Sequence, residues 1–266
     1  MTAGAAQHIT SRDNPLLQRL RKLNEGGSSY RKVGKVWIEG QHLCAALRGR
    51  GLAAEQAVLS EQAWADDALR NLAQWAAKVA IVPDALFTSV SALQSPASIG
   101  FLIDAPAPPP IDPHQASLVL DRVQDAGNVG SMLRSAAAFG VRQILALTGT
   151  AALWSPKVLR AGMGAHFGLH LLEGLDEAAL AVLRVPLLAT SSHAELSLPD
   201  ASLPDPCAWV LGHEGQGVSA SLLQACALQV RIPQPGGEES LNVAAAAAVC
   251  LYESARRRLP GRTGVQ

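Results

Sequence analysis

This chain of 266 residues has no surplus of charge, no paired-cysteine motif and no apolar run long enough to span a bilayer. Its 22 Lys and Arg are matched by 22 Asp and Glu, which argues against a nonspecific polybasic binder. The four cysteines, Cys44, Cys207, Cys226 and Cys250, are scattered, so neither a zinc site nor a disulfide framework is suggested. Cys207 and Cys250 sit in apolar runs and read as small core residues. The N-terminal stretch MTAGAAQHITSRDNP lacks the charged-then-apolar pattern of a secretory signal. These absences predict a soluble cytoplasmic protein with no membrane attachment and no metal. A hydrophobic content of 48% excludes disorder along the whole chain, and the length admits one or two domains.

The charge that is present is unevenly spread. Between residues 1 and 35, seven basic residues (Arg12, Arg19, Arg21, Lys22, Arg31, Lys32 and Lys35) face two acidic ones, Asp13 and Glu25, a net of +5. Arg256, Arg257, Arg258 and Arg262 add a basic tail. Basic ends on a neutral body suit phosphate contacts, and equally a solvated face.

Leu16, Leu17, Leu20 and Leu23 fall at helical spacing after Asn14-Pro15, and Gly26-Gly27-Ser28-Ser29 ends that helix. Strands at 33–39, 57–59 and 79–83 then alternate with helices at 40–49, 61–78 and 84–94. The stretch DAPAPPPIDPHQ is stiff and poor in backbone donors, the clearest linker in the chain. Three segments follow: a small α/β domain over 1–103, a linker over 104–115 and a second α/β domain over 116–266. In the second domain, apolar strands at 117–120, 143–147, 169–172, 186–189, 208–211 and 228–232 alternate with helices at 130–139, 156–165, 177–183, 220–226 and 241–258. That alternation predicts a parallel sheet covered on both faces, with ligands beyond the C-terminal strand ends.

Three stretches carry polar residues just past such strand ends. The first is LVLDRVQDAGNVGSMLRSAAAFGV from 118, where Asn128 reads as an N-cap and Arg134 lies within the helix. The second is WVLGHEGQGVS from 209, where Gly212, Gly215 and Gly217 surround Glu214 in a spacing that is neither GxGxxG nor a Walker loop. The third, from 228, is a short strand, a Pro/Gly turn carrying Glu239, Ser240 and Asn242, and an Ala-rich helix that Ser240 would cap. Taken singly, each is a weak signal, and the third alone reads more readily as a capped helix.

Together and in this order, the three resemble the motifs of the SpoU/TrmH branch of the SPOUT methyltransferases. Those enzymes move a methyl group from S-adenosylmethionine to a ribose 2′-hydroxyl of RNA. The resemblance implies a catalytic role for Arg134, with Asn128 beside it. An arginine is a poor base because it stays protonated. Electrostatic stabilisation of the oxyanion or transient proton loss both remain open. Glu214 would support the site, and Ser240 and Asn242 would face the reacting ribose. Thr190, Leu211, Gly212, Gly215, Ile232 and Leu241 would hold the cofactor S-adenosylmethionine, largely through main-chain atoms. His213 stands where the family more often has Asn and is read as serving through its backbone; Gln234 replaces a common Met.

Ser11, Asn14, Pro15, Arg31, Glu39 and Gly40 resemble the N-terminal substrate-binding domain of TrmH-like enzymes, which has a ribosomal-protein-like RNA-binding fold. Arg31, Lys32, Lys157 and Arg160 would then contact RNA, each being equally well a solvated charge. The family also implies a deep trefoil knot and a homodimer with its site near the subunit interface. Structured RNA, ribosomal in preference to transfer RNA, is the expected substrate. A non-catalytic RNA-binding protein of the same fold is the rival, opposed by the presence of Asn128, Arg134, Glu214, Ser240 and Asn242. A dehydrogenase is opposed by the missing glycine fingerprint.

Overall fold

A computed structural model describes residues 6–91, 96–236 and 240–258. Glu239 and Arg262, singled out above, lie outside the described residues. The chain divides into two compact units, Met1–Ala107 with Trp154–Phe167, and Pro108–Leu153 with Gly168–Gln266.

The first unit contains β1 (Gln7–His8), α1 (Pro15–Asn24), α2 (Ser29–Val33), β2 (Lys35–Glu39), α3 (Gln41–Gly49), β3 (Gln56–Ser60), α4 (Glu61–Ala65), α5 (Asp67–Ala73), β4 (Lys78–Val82), α6 (Asp84–Val90) and β5 (Ile99–Asp104). Helix α1 starts where Asn14 accepts the Leu16 N–H at 2.9 Å, with Pro15 at the first helical position. It buries Leu16, Leu17, Leu20 and Leu23, the apolar stripe expected from their spacing. The sheet runs β1-β4-β3-β5-β2, with β1, β4 and β3 parallel and β5 antiparallel to both of its neighbours. Sequence alternation alone did not foresee β5. The single helix expected over 61–78 is two short helices, because Asp66 interrupts it and caps α5 through the Ala68 and Leu69 N–H groups.

The second unit contains β6 (Ser117–Leu120), α7 (Ala126–Ala138), β7 (Gln143–Leu147), β8 (His170–Leu175), β9 (Leu187–Thr190), β10 (Ala208–Leu211), α9 (Ala220–Ala225), β11 (Leu228–Val230) and α10 (Val243–Arg258). Helix α8 (Pro156–Gly162) lies between β7 and β8 in sequence. The sheet order is β11-β9-β10-β6-β7-β8 and every pairing is parallel, as the apolar strand runs predicted. Side chains alternate across it: Val210 joins Val119, Leu145, Ala189 and Leu222 in one core cluster, while Trp209 donates its indole N–H to Ser254 of α10 at 2.9 Å. Cys207 and Cys250 are buried, in keeping with their reading as core residues. Chain order reverses between β6 and β10, so the crevice beyond their C-terminal ends is where open parallel sheets bind ligands.

The change of unit at 107/108 falls in the proline-rich stretch. The far end of that stretch belongs to the second unit: Gln143 accepts the Asp112 N–H at 2.7 Å and donates to its carbonyl at 3.0 Å. Residues 154–167 differ from the sequence expectation, which put them in the second domain. Helix α8 buries Val158 and Leu159 and packs on β2, and Gly164, at φ 87°, leaves no space for a β-carbon beside Ala46. Among the described residues, no helix is long and apolar enough to cross a membrane.

Candidate active site

All three stretches singled out in the sequence lie in the second unit, each just past a strand end. Their polar groups meet. Helix α7 begins four residues earlier than expected, because Asp125 is its cap and accepts the Asn128 N–H at 2.7 Å. Asn128 is therefore inside the first turn, not in front of it, and its side-chain amide is released for tertiary contacts. That amide donates to Glu214 at 3.1 Å and accepts from the Asn242 amide at 2.9 Å. Glu214 also accepts the Gln124 and Asp125 N–H groups at 3.2 and 3.0 Å. Partial burial raises the Glu214 pKa, but the hydrogen bonds from Asn128 and these backbone groups outweigh it and hold the carboxyl down at about 2. The side chain is thus an anion tied to the start of α7, and a carboxylate held that far down is too weak a base to draw a proton from a hydroxyl.

Helix α10 starts at Val243, and its cap is Asn242 instead of the expected Ser240. The Asn242 carbonyl oxygen accepts the Ala244 and Ala245 N–H groups at 2.9 and 3.3 Å, which fixes the amide nitrogen toward Asn128. One amide thereby starts a helix and closes a Glu214–Asn128–Asn242 chain across three loops.

Next to this chain is a cavity of about 410 Å³, within the size range of small-molecule sites. Thr190, Leu211, Gly212, Gly215, Ile232 and Leu241 all line it, as do Glu214, Ser240 and Gln234. Gly212 cannot carry a side chain: a β-carbon there would collide with the backbone of Gly217 and Val218. The loop doubles back on itself, with His213 and Gly217 exchanging N–H to carbonyl bonds at 3.0 and 2.8 Å. From sequence His213 is expected to serve through its backbone alone, but its side chain also holds the loop. Its Nδ1 accepts the Gly215 and Gln216 N–H groups at 3.0 and 3.3 Å.

Other residues of the site were missed in the sequence. Ser191, Ser192 and His193 extend the lining past Thr190. Buried Asp121 accepts the Ser219 N–H at 2.7 Å and pairs with Arg122 at 2.9 Å. Desolvation raises the Asp121 pKa, but these bonds outweigh it and the net shift is downward. Arg122 reaches on to Gln216 at 3.0 Å, so the ion pair fastens the middle of the glycine loop as well as its far end at Ser219. An Asp-Arg pair directly after an apolar strand was the available signal.

Arg134 stands apart. It is exposed on α7, is absent from the cavity lining and makes no hydrogen bond or ion pair among the described residues. Arg31, Lys32, Lys157 and Arg160 all fall in the first unit and are exposed, and the Arg31 guanidinium sits over the Tyr30 ring at 5.6 Å.

A parallel α/β domain with three loops meeting at the reversal of strand order is the architecture of a nucleotide or nucleoside-cofactor enzyme. Comparison with known proteins narrows this. The SpoU rRNA Methylase family matches residues 115–252, and the chain belongs to that family. A tRNA/rRNA methyltransferase of Synechocystis sp., itself uncharacterized, is 32% identical over 96% of both chains. The 23S rRNA (guanosine(2553)-2′-O)-methyltransferase RlmP of Bacillus subtilis is 30% identical, over 92% of this chain and 98% of its own. In fold, the chain resembles the SpoU methyltransferase AviRb from Streptomyces viridochromogenes, whose structure is known in complex with the cofactor AdoMet. The TM-score is 0.84 at 23% identity, covering 94% of this chain and 100% of that one.

Proposed function

We propose that this protein methylates a ribose 2′-hydroxyl of ribosomal RNA with S-adenosylmethionine. The observation that carries the reading is the Glu214–Asn128–Asn242 chain closing beside a cavity lined by the six residues expected to hold the donor. The lining suits that molecule. Leu211, Ile232 and Leu241 offer apolar surface for a purine, and Gly212 lets the loop fold back on itself to form one wall. Bound there, the donor would supply a methyl group on a positively charged sulfur that departs as a neutral thioether, with the hydroxyl proton passing to solvent water.

The chain's own residues position and stabilise. Ser240 and Asn242, at the mouth of the third loop, orient the ribose. Glu214 and Asn128 keep Asn242 in place. Arg134 stabilises the developing oxyanion by its fixed positive charge. Its exposure outside the cavity supports a homodimer in which it serves the site of a second copy. The exposed apolar stripe of α10, with Val249 and Tyr252 at 39% and 52% exposure, supports the same assembly. The family's deep trefoil knot, in which the last helix passes through a loop, is part of the reading. So is an N-terminal unit that grips RNA through Arg31, Lys32, Lys157 and Arg160, whose grouping in one unit supports it. Operation in the cytoplasm completes it.

Tritiated methyl transfer to ribosomal RNA tests the proposal. Wild-type protein should label it, and Arg134→Ala should lose about 100-fold or more in rate while binding S-adenosylhomocysteine as before. A rate unchanged by this substitution would remove Arg134 from the mechanism. Mapping 2′-O-methyl groups in RNA from cells lacking the protein identifies the nucleotide.

A further inference from the structure

The glycine loop between β10 and α9 is closed around one imidazole. Gly212 has no room for a β-carbon, and Gly217 is held in the left-handed region at φ 68°. Within that closure two backbone donors, the Gly215 and Gln216 N–H groups, converge on Nδ1 of His213. An imidazole nitrogen accepts hydrogen bonds only when it carries no proton, so His213 is the neutral Nε2–H tautomer. Gly212, His213, Gly215 and Gln216 all line the cavity.

We propose that His213 is a positioning residue for methyl-donor binding, and that protonation of its Nδ1 releases the loop and weakens the donor's hold. The proposal rests on the donor reading of the cavity. A proton on Nδ1 would set three N–H groups against one another, and the two backbone donors would have to turn away, moving the loop that forms one wall of the cavity. A neutral acceptor of similar reach, such as an Asn carboxamide, would satisfy the same donors without titrating.

The other charged or titratable groups around the loop are committed elsewhere. Glu214 is bound to the start of α7, and Asp121 is paired with Arg122, which also holds Gln216. Glu177 accepts from the Ser219 and Ser221 hydroxyls. His193, across the cavity, shares the imidazole's chemistry. The test must therefore separate His193 from His213.

Two measurements on the full chain do so. Without ligand, nitrogen-15 NMR follows the His213 ring and the Gly215 and Gln216 amides between about pH 8 and 5, the interval in which imidazoles titrate. Calorimetry over the same interval follows S-adenosylhomocysteine binding to wild type, His213→Asn and His213→Ala. The two amides should shift together with protonation of the His213 ring. Wild-type affinity should fall on acidification by at most about tenfold per pH unit. His213→Asn should bind within about threefold of wild type at pH 8 and lose that pH dependence. His213→Ala should bind about tenfold more weakly at pH 8.

Amides indifferent to the ring, an unaltered pH dependence in His213→Asn, or wild-type affinity in His213→Ala would each overturn the proposal while leaving the donor reading intact. Failure of the wild-type protein to bind at any pH would overturn the donor reading, and the proposal with it.

Discussion

Glu214 shows how a charged residue in a glycine loop becomes a structural anion. Its two oxygens accept from Gln124, Asp125 and Asn128, all at the start of α7, where the helix dipole also favours negative charge. The carboxyl is held down at about 2 from its ordinary 4.5. A carboxyl lowered on folding stabilises the protein fully above the ordinary value, and that contribution is lost as pH falls toward about 2. Glu214→Gln would turn an amide nitrogen toward one of those donors. It should cost about 1 kcal/mol at neutral pH, at the low end for a charged hydrogen bond because the group is exposed. The gap between variant and wild type in denaturant titrations should narrow from pH 4.5, the ordinary value, down toward about 2, because the carboxyl protonates in the unfolded chain before it does in the folded one. A gap independent of pH would contradict the electrostatic account. The resemblance of the glycine loop to a known motif made Glu214 a candidate site residue. It did not show what the side chain does, because its partners lie about 90 positions away and meet it only through the pairing of β6 with β10.

Helix starts carry the same lesson at the level of elements. Asp125 and Asn128 are both good caps, and local preference does not choose between them. The choice falls to Asp125 because Glu214 takes the Gln124 and Asp125 N–H groups from outside the helix, a tertiary contact. In the third loop, Ser240 and Asn242 compete similarly, and Asn242 alone also bonds to Asn128. Strand positions were more legible, since burial on both faces leaves unbroken apolar runs, as in β6, β7 and β10.

Asn242→Asp separates the two jobs of that side chain. A carboxylate keeps the cap on Ala244 and Ala245 and favours the helix dipole, so stability should stay within about 1 kcal/mol of wild type. The donor to Asn128 is lost and oxygen faces oxygen, so methyl transfer should fall by about tenfold or more. Asn242→Ala removes both, and should lose about 1 kcal/mol of stability as well as activity. Thermal unfolding set beside the transfer rate checks both variants; equal rates for wild type and Asn242→Asp would mean that the Asn128–Asn242 contact is dispensable.

For the molecule as a whole, the proline-rich stretch made the division near 107/108 legible. The grouping of 154–167 with the first unit was not, because its burial depends on residues such as Ala46, more than 100 positions distant. Arg134 poses the corresponding question about the assembly. Its position outside the cavity of its own chain means that the proposed mechanism works only if another copy brings it in. Mixing two inactive variants decides this. One is Arg134→Ala, and the other is Asn128→Ala, which breaks the chain from Glu214 to Asn242. After subunit exchange at equal concentrations, half of the dimers should be hybrids. If Arg134 acts across the interface, one of the two sites in each hybrid has both residues intact, and about one quarter of wild-type activity returns. If Arg134 serves its own chain's site, every site in the hybrid carries one lesion and no activity returns. Recovery would place the reacting ribose between two copies of α7, while continued inactivity in hybrids shown to form would require Arg134 to reach the cavity of its own chain.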